Sequence, residues 1–236
     1  MSTIENYLGK VTVAIQVALD EPSISTALAA EGYGQSDLQI IKGLIAPGEA
    51  ANQSARKIAA DLDQASQSLE TNLALVKKEL STLRRSMTNN LPARSPLFKA
   101  IGINETQPRK QEALLEYAQR VFTSGGALSD AEAAPLAKRA WDNARFAAAL
   151  EAVKAAIAAN VDQETAKGAA VAATAALYDR IDELDAAFRP FAKDARDLLK
   201  NMPGELTKMG LKTGVPEKPR RPVAPPAGKL AKSQAA

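Results

Sequence analysis

The chain has 236 residues, 46% apolar but only 4% aromatic, with 30 basic side chains against 27 acidic ones. It contains no Cys and no His, which excludes disulfides, thiolate nucleophiles, iron–sulfur clusters, zinc sites of the usual nitrogen and sulfur type, and any triad with a His base. The di-iron site of ferritin-like bundles needs Glu-x-x-His on two helices and is excluded with them.

Ala occurs 48 times. It is the best helix former and a poor strand former, so the composition predicts an all-α protein of closely packed helices. Chemistry by carboxylates, Lys or Ser stays open on composition alone. No arrangement of such residues points to it, so the expected reading is non-enzymatic, with no catalytic residue, cofactor or metal. The net charge of +3 is unevenly placed. Residues 208–236 hold seven basic side chains and one acid, Glu217, so the rest of the chain carries −3.

The opening stretch MSTIENYLGKVTVAIQVALD has no basic residues ahead of an apolar run and is interrupted by Glu5, Asn6 and Lys10, unlike a signal peptide. No stretch approaches the ~18 uninterrupted apolar residues of a membrane span. The expected location is the cytoplasm. Ser2 to Glu5 has the form of a capping box, and Ile4, Leu8, Val11 and Ile15 follow at helical spacing, predicting a helix over 3–19. Pro22 ends it, and a short helix is expected over 23–30, closed by Gly32.

Ser36 then caps the most periodic segment. Ile41, Ile45, Gly48, Asn52, Ala55, Ala59, Leu62, Ser66, Leu69, Leu73, Val76, Leu80, Leu83 and Met87 follow in alternating steps of four and three, the 3.5-residue repeat of a coiled-coil-like seam. A helix over 36–88 would run ~80 Å. Pro47-Gly48 predicts a kink near its start, with Asn52 close to solvent. Residues 89–108 read as a connection containing three prolines and the apolar group Leu97, Phe98, Ile101 and Ile103.

The pattern then recurs at an offset of 108. Leu28 maps onto Leu136, Tyr33 onto Trp141, Leu38 onto Phe146, Ile45 onto Val153, Asn52 onto Asn160, and Leu69 onto Leu177. Leu80 and Leu83 map onto Phe188 and Phe191, while Phe98, Ile101, Gly102 and Ile103 land on Leu206, Met209, Gly210 and Leu211. The first helix fits best at 107, with Leu8 on Leu115 and Ile15 on Phe122. Coincidence of helical period would align apolar with apolar, but not a ring with a ring and a glycine with a glycine. Internal duplication is the expectation, with a first helical copy over 1–108 and a second over 109–213. The second has exchanged Gly32-Tyr33-Gly34 for Ala140-Trp141-Asp142 and carries Pro190, expected to kink its long helix.

Residues 214–236 are proline-rich without apolar periodicity and are expected to be an extended, disordered basic tail. Within them PEKPRRP has the Pro-x-x-Pro-x-basic form of ligands for polyproline-binding modules. The carboxylate pairs Asp61/Asp63, Asp179/Asp182 and Asp182/Asp185 read as solvated helix faces, and Tyr33 and Trp141 as plugs at helix ends.

The turn from Leu28 to Tyr33, the long polar and Ala-rich helix after it, and the closing Ile-Gly-Ile or Met-Gly-Leu resemble bacterial all-helical proteins built of two tandem copies, a family with no assigned activity. That resemblance implies the fold and brings no cofactor or catalytic residue. The expected architecture is an elongated helical bundle of two helix–turn–long-helix copies. Its expected role is that of a structural, scaffold or adaptor protein that packs helices, self-assembling or holding a protein partner. The candidate partner-binding residues are Leu69, Leu73, Val76, Leu80 and Leu83, if that seam is shared between chains. The alternative is binding of the tail, through Lys218, Arg220, Arg221, Lys229 and Lys232, to an anionic polymer or membrane surface.

Overall fold

A computed structural model describes residues 3–93, 95–103 and 106–222, and among them it contains eight α-helices and no strand. The predicted N-cap Ser2 lies outside the described residues. α1 (Thr3–Asp20) buries Tyr7, Leu8, Val11, Ala14, Ile15 and Ala18, the stripe of a helix packed on one side. Pro22 opens α2 (Pro22–Ala30), where its missing N–H leaves no bond unmade. α3 (Gln35–Asn90) runs for 56 residues. α4 (Pro96–Ile101), α5 (Gln111–Gly126) and α6 (Asp130–Ala137) follow, then α7 (Asn143–Leu198), again of 56 residues, and α8 (Pro203–Lys208). No described helix is long and apolar enough to cross a membrane.

Neither Pro47 nor Pro190 ends its helix. Gly48 serves a close approach instead, since a Cβ there would lie 3.2 Å from Leu8 Cδ2 of α1. Asn52, expected near solvent, is buried.

Four helices end in one device. The N–H of Tyr33 donates to the carbonyl of Leu28, Ile103 to Phe98, Trp141 to Leu136 and Leu211 to Leu206, at 2.9–3.1 Å. The N–H one residue earlier donates in each case to the carbonyl three positions back, completing Schellman caps. This geometry needs a left-handed residue, supplied by Gly32 (φ 95°), Gly102 (φ 80°) and Gly210 (φ 70°). The recurrent aliphatic-Gly-aliphatic ends are therefore caps whose last residues, Ile103 and Leu211, are buried.

At the fourth cap the left-handed residue is Ala140, at φ 60°. Ala140 adopts the backbone conformation that Gly supplies at the other three caps, at a steric cost of roughly 1–2 kcal/mol. Ala140→Gly should therefore stabilise the protein by about 0.5–1 kcal/mol after the added chain entropy of Gly. A thermal melt of A140G checks this; a Tm equal to or below that of the unaltered chain contradicts it.

The chain divides into two compact units. The first comprises residues 1–57 and 171–236, the second residues 58–170. In the first, α1 and α2 pack with the start of α3 and the end of α7 around Ile15, Leu28, Ile41, Ile181, Phe188 and Phe191. In the second, the end of α3 and the start of α7 pack with α4, α5 and α6 around Val76, Leu83, Ile101, Phe122, Trp141 and Phe146. The sequence copies and the compact units do not coincide. Each unit takes the opening part of one predicted copy and the closing part of the other.

Candidate interaction surface

In the first unit, Tyr178, Asp182, Asp185 and Arg189 of α7 follow at steps of four, three and four, which places them on one helical face, with Asp179 beside Tyr178. Asp185 is only 8% exposed, which corrects its reading as an ordinary surface charge. A buried carboxylate must be paired, because a lone buried charge costs several kcal/mol. Three donors meet that need. The Tyr7 hydroxyl donates to Oδ1 at 3.0 Å, while Arg189 donates through Nε to Oδ2 at 3.0 Å and through Nη2 to Oδ1 at 3.2 Å. Burial first, and then the Asp185 charge, push the Tyr7 hydroxyl far above its ordinary pKa, so it stays a donor. The hydrogen bonds that Arg189 donates to Asp185, and then the Asp185 charge, raise the pKa of Arg189, with a smaller contribution from the Glu217 charge.

Glu217 belongs to the segment that covers this face. Pro216 and Pro219 are buried, and Val215 is half-buried against the first core. Lys218 Nζ lies 3.2 Å from Asp182 Oδ1. Arg221 Nη2 lies 2.5 Å from Asp179 Oδ1, and its guanidinium sits 5.8 Å from the centre of the Tyr178 ring. The expectation of disorder from 214 onward is thus corrected for the stretch up to 222, which contacts α7 through Lys218 and Arg221, while Asp179 and Asp182 stay exposed, as expected, and are ion-paired as well.

The five basic residues assigned to anion binding fare unequally. Lys218 and Arg221 are engaged by the chain's own carboxylates. Arg220 remains 92% exposed, 3.8 Å from Glu217. Lys229 and Lys232 lie outside the described residues.

The seam residues are used internally as well. Val76, Leu80 and Leu83 belong to the second core, Leu73 packs half-buried against it, and Leu69 is 3% exposed. Large aliphatics do remain outside on the long helices. Ile157 and Val161, one turn apart on α7, are 36% and 59% exposed, where the positions 108 earlier hold Glu49 and Gln53.

Tyr33 donates to Asp194 Oδ2 at 2.6 Å, and burial together with that bond pushes its pKa up to about 12. Its ring meets Phe191 edge-on at 5.5 Å. Trp141 stacks on Phe122 at 6.2 Å, and the guanidinium of Arg145, which pairs with Glu79 at 2.7 Å, lies 5.2 Å from the centre of the Trp141 ring. Two shallow clefts of about 340 and 250 Å³ are lined by polar side chains around Glu116 and around Lys110, and neither includes Tyr33 or Trp141. Among the described residues no group of three or more carboxylates gathers where a metal ion could be held.

No short-range signal in the sequence joins Tyr178 to Arg221 across 43 positions, so the Pro-x-x-Pro-x-basic pattern does not by itself indicate the α7 face it contacts. Comparison with protein-family models, with curated proteins and with solved structures finds no match to this chain.

Proposed function

We propose that the protein is a non-enzymatic scaffold or adaptor that acts by packing helices on a protein partner, with a second molecule of the same chain as the partner to test first. The observation that carries this reading is the outward pair Ile157 and Val161, aliphatic side chains left in water on one face of a long helix. The absence of Cys and His from the sequence removes the commonest catalytic groups and agrees with it.

We also read the chain as an internal duplication. Both ends of α3 and α7 differ by 108, as do the starts of α2 and α6. Pairs such as Leu38 and Phe146, or Leu83 and Phe191, are buried alike. The second copy then differs from the first where Ile157 and Val161 replace Glu49 and Gln53, an apolar surface gained on one copy alone.

Sedimentation velocity of the full chain across concentration, at two salt levels, tests the association. The unaltered protein should grow with concentration and keep doing so in high salt. Ile157→Asp with Val161→Asp should remain monomeric with unchanged helical circular dichroism. An unaltered chain that stays monomeric, or a double variant that associates equally, would overturn the reading.

A further inference from the structure

We propose that the α7 face formed by Tyr178, Asp179 and Asp182 is a docking site for a proline-rich basic peptide of the form Pro-x-x-Pro-x-Arg. In this structure the chain's own Pro216–Arg221 fills it, and on release it accepts the same segment of a second molecule. The proposal does not depend on the Ile157 and Val161 surface.

The segment shows a period of three. Pro216 and Pro219 are buried, Lys218 and Arg221 face carboxylates, and Glu217 and Arg220 have side chains 83% and 92% exposed. Three residues per turn is the repeat of the polyproline helix, which puts each of these pairs on its own side. Such a segment loses little entropy on docking, because proline has already restricted it. Its basic side meets a complementary surface. Lys218 pairs with Asp182, and Arg221 pairs with Asp179 while covering the Tyr178 ring. A guanidinium held at once by a carboxylate and an aromatic face uses both of its binding modes.

The positions 108 earlier, Glu70, Thr71 and Ala74, offer no aromatic ring and a single acid, so the site is not repeated there. One receptor and one ligand per chain allow exchange between molecules, and the internal ligand has the advantage of proximity. Leu211, buried in the first core, anchors the segment only a few residues from Pro216. A tether that short gives an effective concentration on the order of mM. The site therefore stays closed in the isolated chain, and weakening the two ion pairs opens it.

The test uses full-length protein and a fluorescently labelled peptide of residues 214–222, followed by anisotropy. Lys218→Glu with Arg221→Glu releases the internal segment, and Pro216→Gly with Pro219→Gly releases it without changing charge. Both released variants should bind the peptide about tenfold more tightly than the unaltered chain, the advantage expected when ~1 mM of tethered competitor is removed from a site of ~0.1 mM affinity. Adding Asp179→Lys and Asp182→Lys to either should abolish binding. Equal binding to released and unaltered chains would overturn the proposal, as would no binding to either released variant while circular dichroism shows them folded. A scrambled peptide of the same composition that binds equally well would reduce the interaction to charge and refute the site.

Discussion

Replacing Gly125 with Ala should destabilise the second compact unit by about 2 kcal/mol, even though Ala is the better helix former. Gly125 is buried near the end of α5, and a Cβ built there would lie 2.6 Å from Cζ and 2.5 Å from Cδ1 of Phe146, with Cε1 nearer still. Contacts this short force the ring to move. The ring has little room to do so, being 1% exposed and 5.1 Å from Trp141, which is itself stacked on Phe122. Overpacking of a filled core costs ~1–3 kcal/mol, and the gain in helix propensity returns at most ~1 kcal/mol. The clash wins.

Gly168→Ala is the matched control. Nothing lies within 4 Å of a Cβ at that helical position, so only the propensity remains, and the variant should gain ~0.5–1 kcal/mol. Urea unfolding read by Trp141 fluorescence reports the second unit directly, because Trp141 is the only Trp. A G125A midpoint at or above that of the unaltered protein would show that the ring yields freely and that the core there is loosely filled.

Phe191→Ala should cost ~3–5 kcal/mol, the usual range for removing a fully buried ring. Phe191 is inaccessible to solvent, meets Tyr33 edge-on at 5.5 Å and lies 6.0 Å from Phe188. Truncation would remove these aromatic contacts and leave a cavity beside the Tyr33–Asp194 bond. Against a total stability of ~5–15 kcal/mol that loss is large. Phe191→Leu introduces the residue type found 108 positions earlier, at Leu83, and should cost less than ~1.5 kcal/mol because much of the volume is kept. Urea unfolding followed by circular dichroism compares the two. An alanine variant no worse than the leucine variant would mean that the site collapses around the missing ring.

Much of the secondary structure was legible in the residues alone, because its determinants act over three or four positions. The spacing of Leu8, Val11 and Ile15 marked α1. The alternating threes and fours from Ile41 to Met87 marked α3, and the large apolar residues at those seam positions, except Leu62 and Leu73, prove buried. Gly32 marked the cap of α2 because only a residue free of a Cβ adopts a left-handed conformation without strain. The same reasoning failed at Ala140, where a cap forms without a glycine.

Tertiary structure alone decided which parts belong together. Periodicity gives each long helix a sticky face and says nothing of its neighbour, so reading the copies in order could not reveal that Leu28 shares a core with Phe191 while Leu83 shares one with Trp141. It also decided the fate of charge. Asp179, Asp182 and Asp185 look alike in sequence, yet Tyr7 and Arg189 hold one inside and Lys218 and Arg221 hold the other two. The basic excess of the tail, summed by composition, suggested attraction to an outside polyanion. Composition counts charges without their distances, and at 2.5 and 3.2 Å two of those charges already face carboxylates of the same chain.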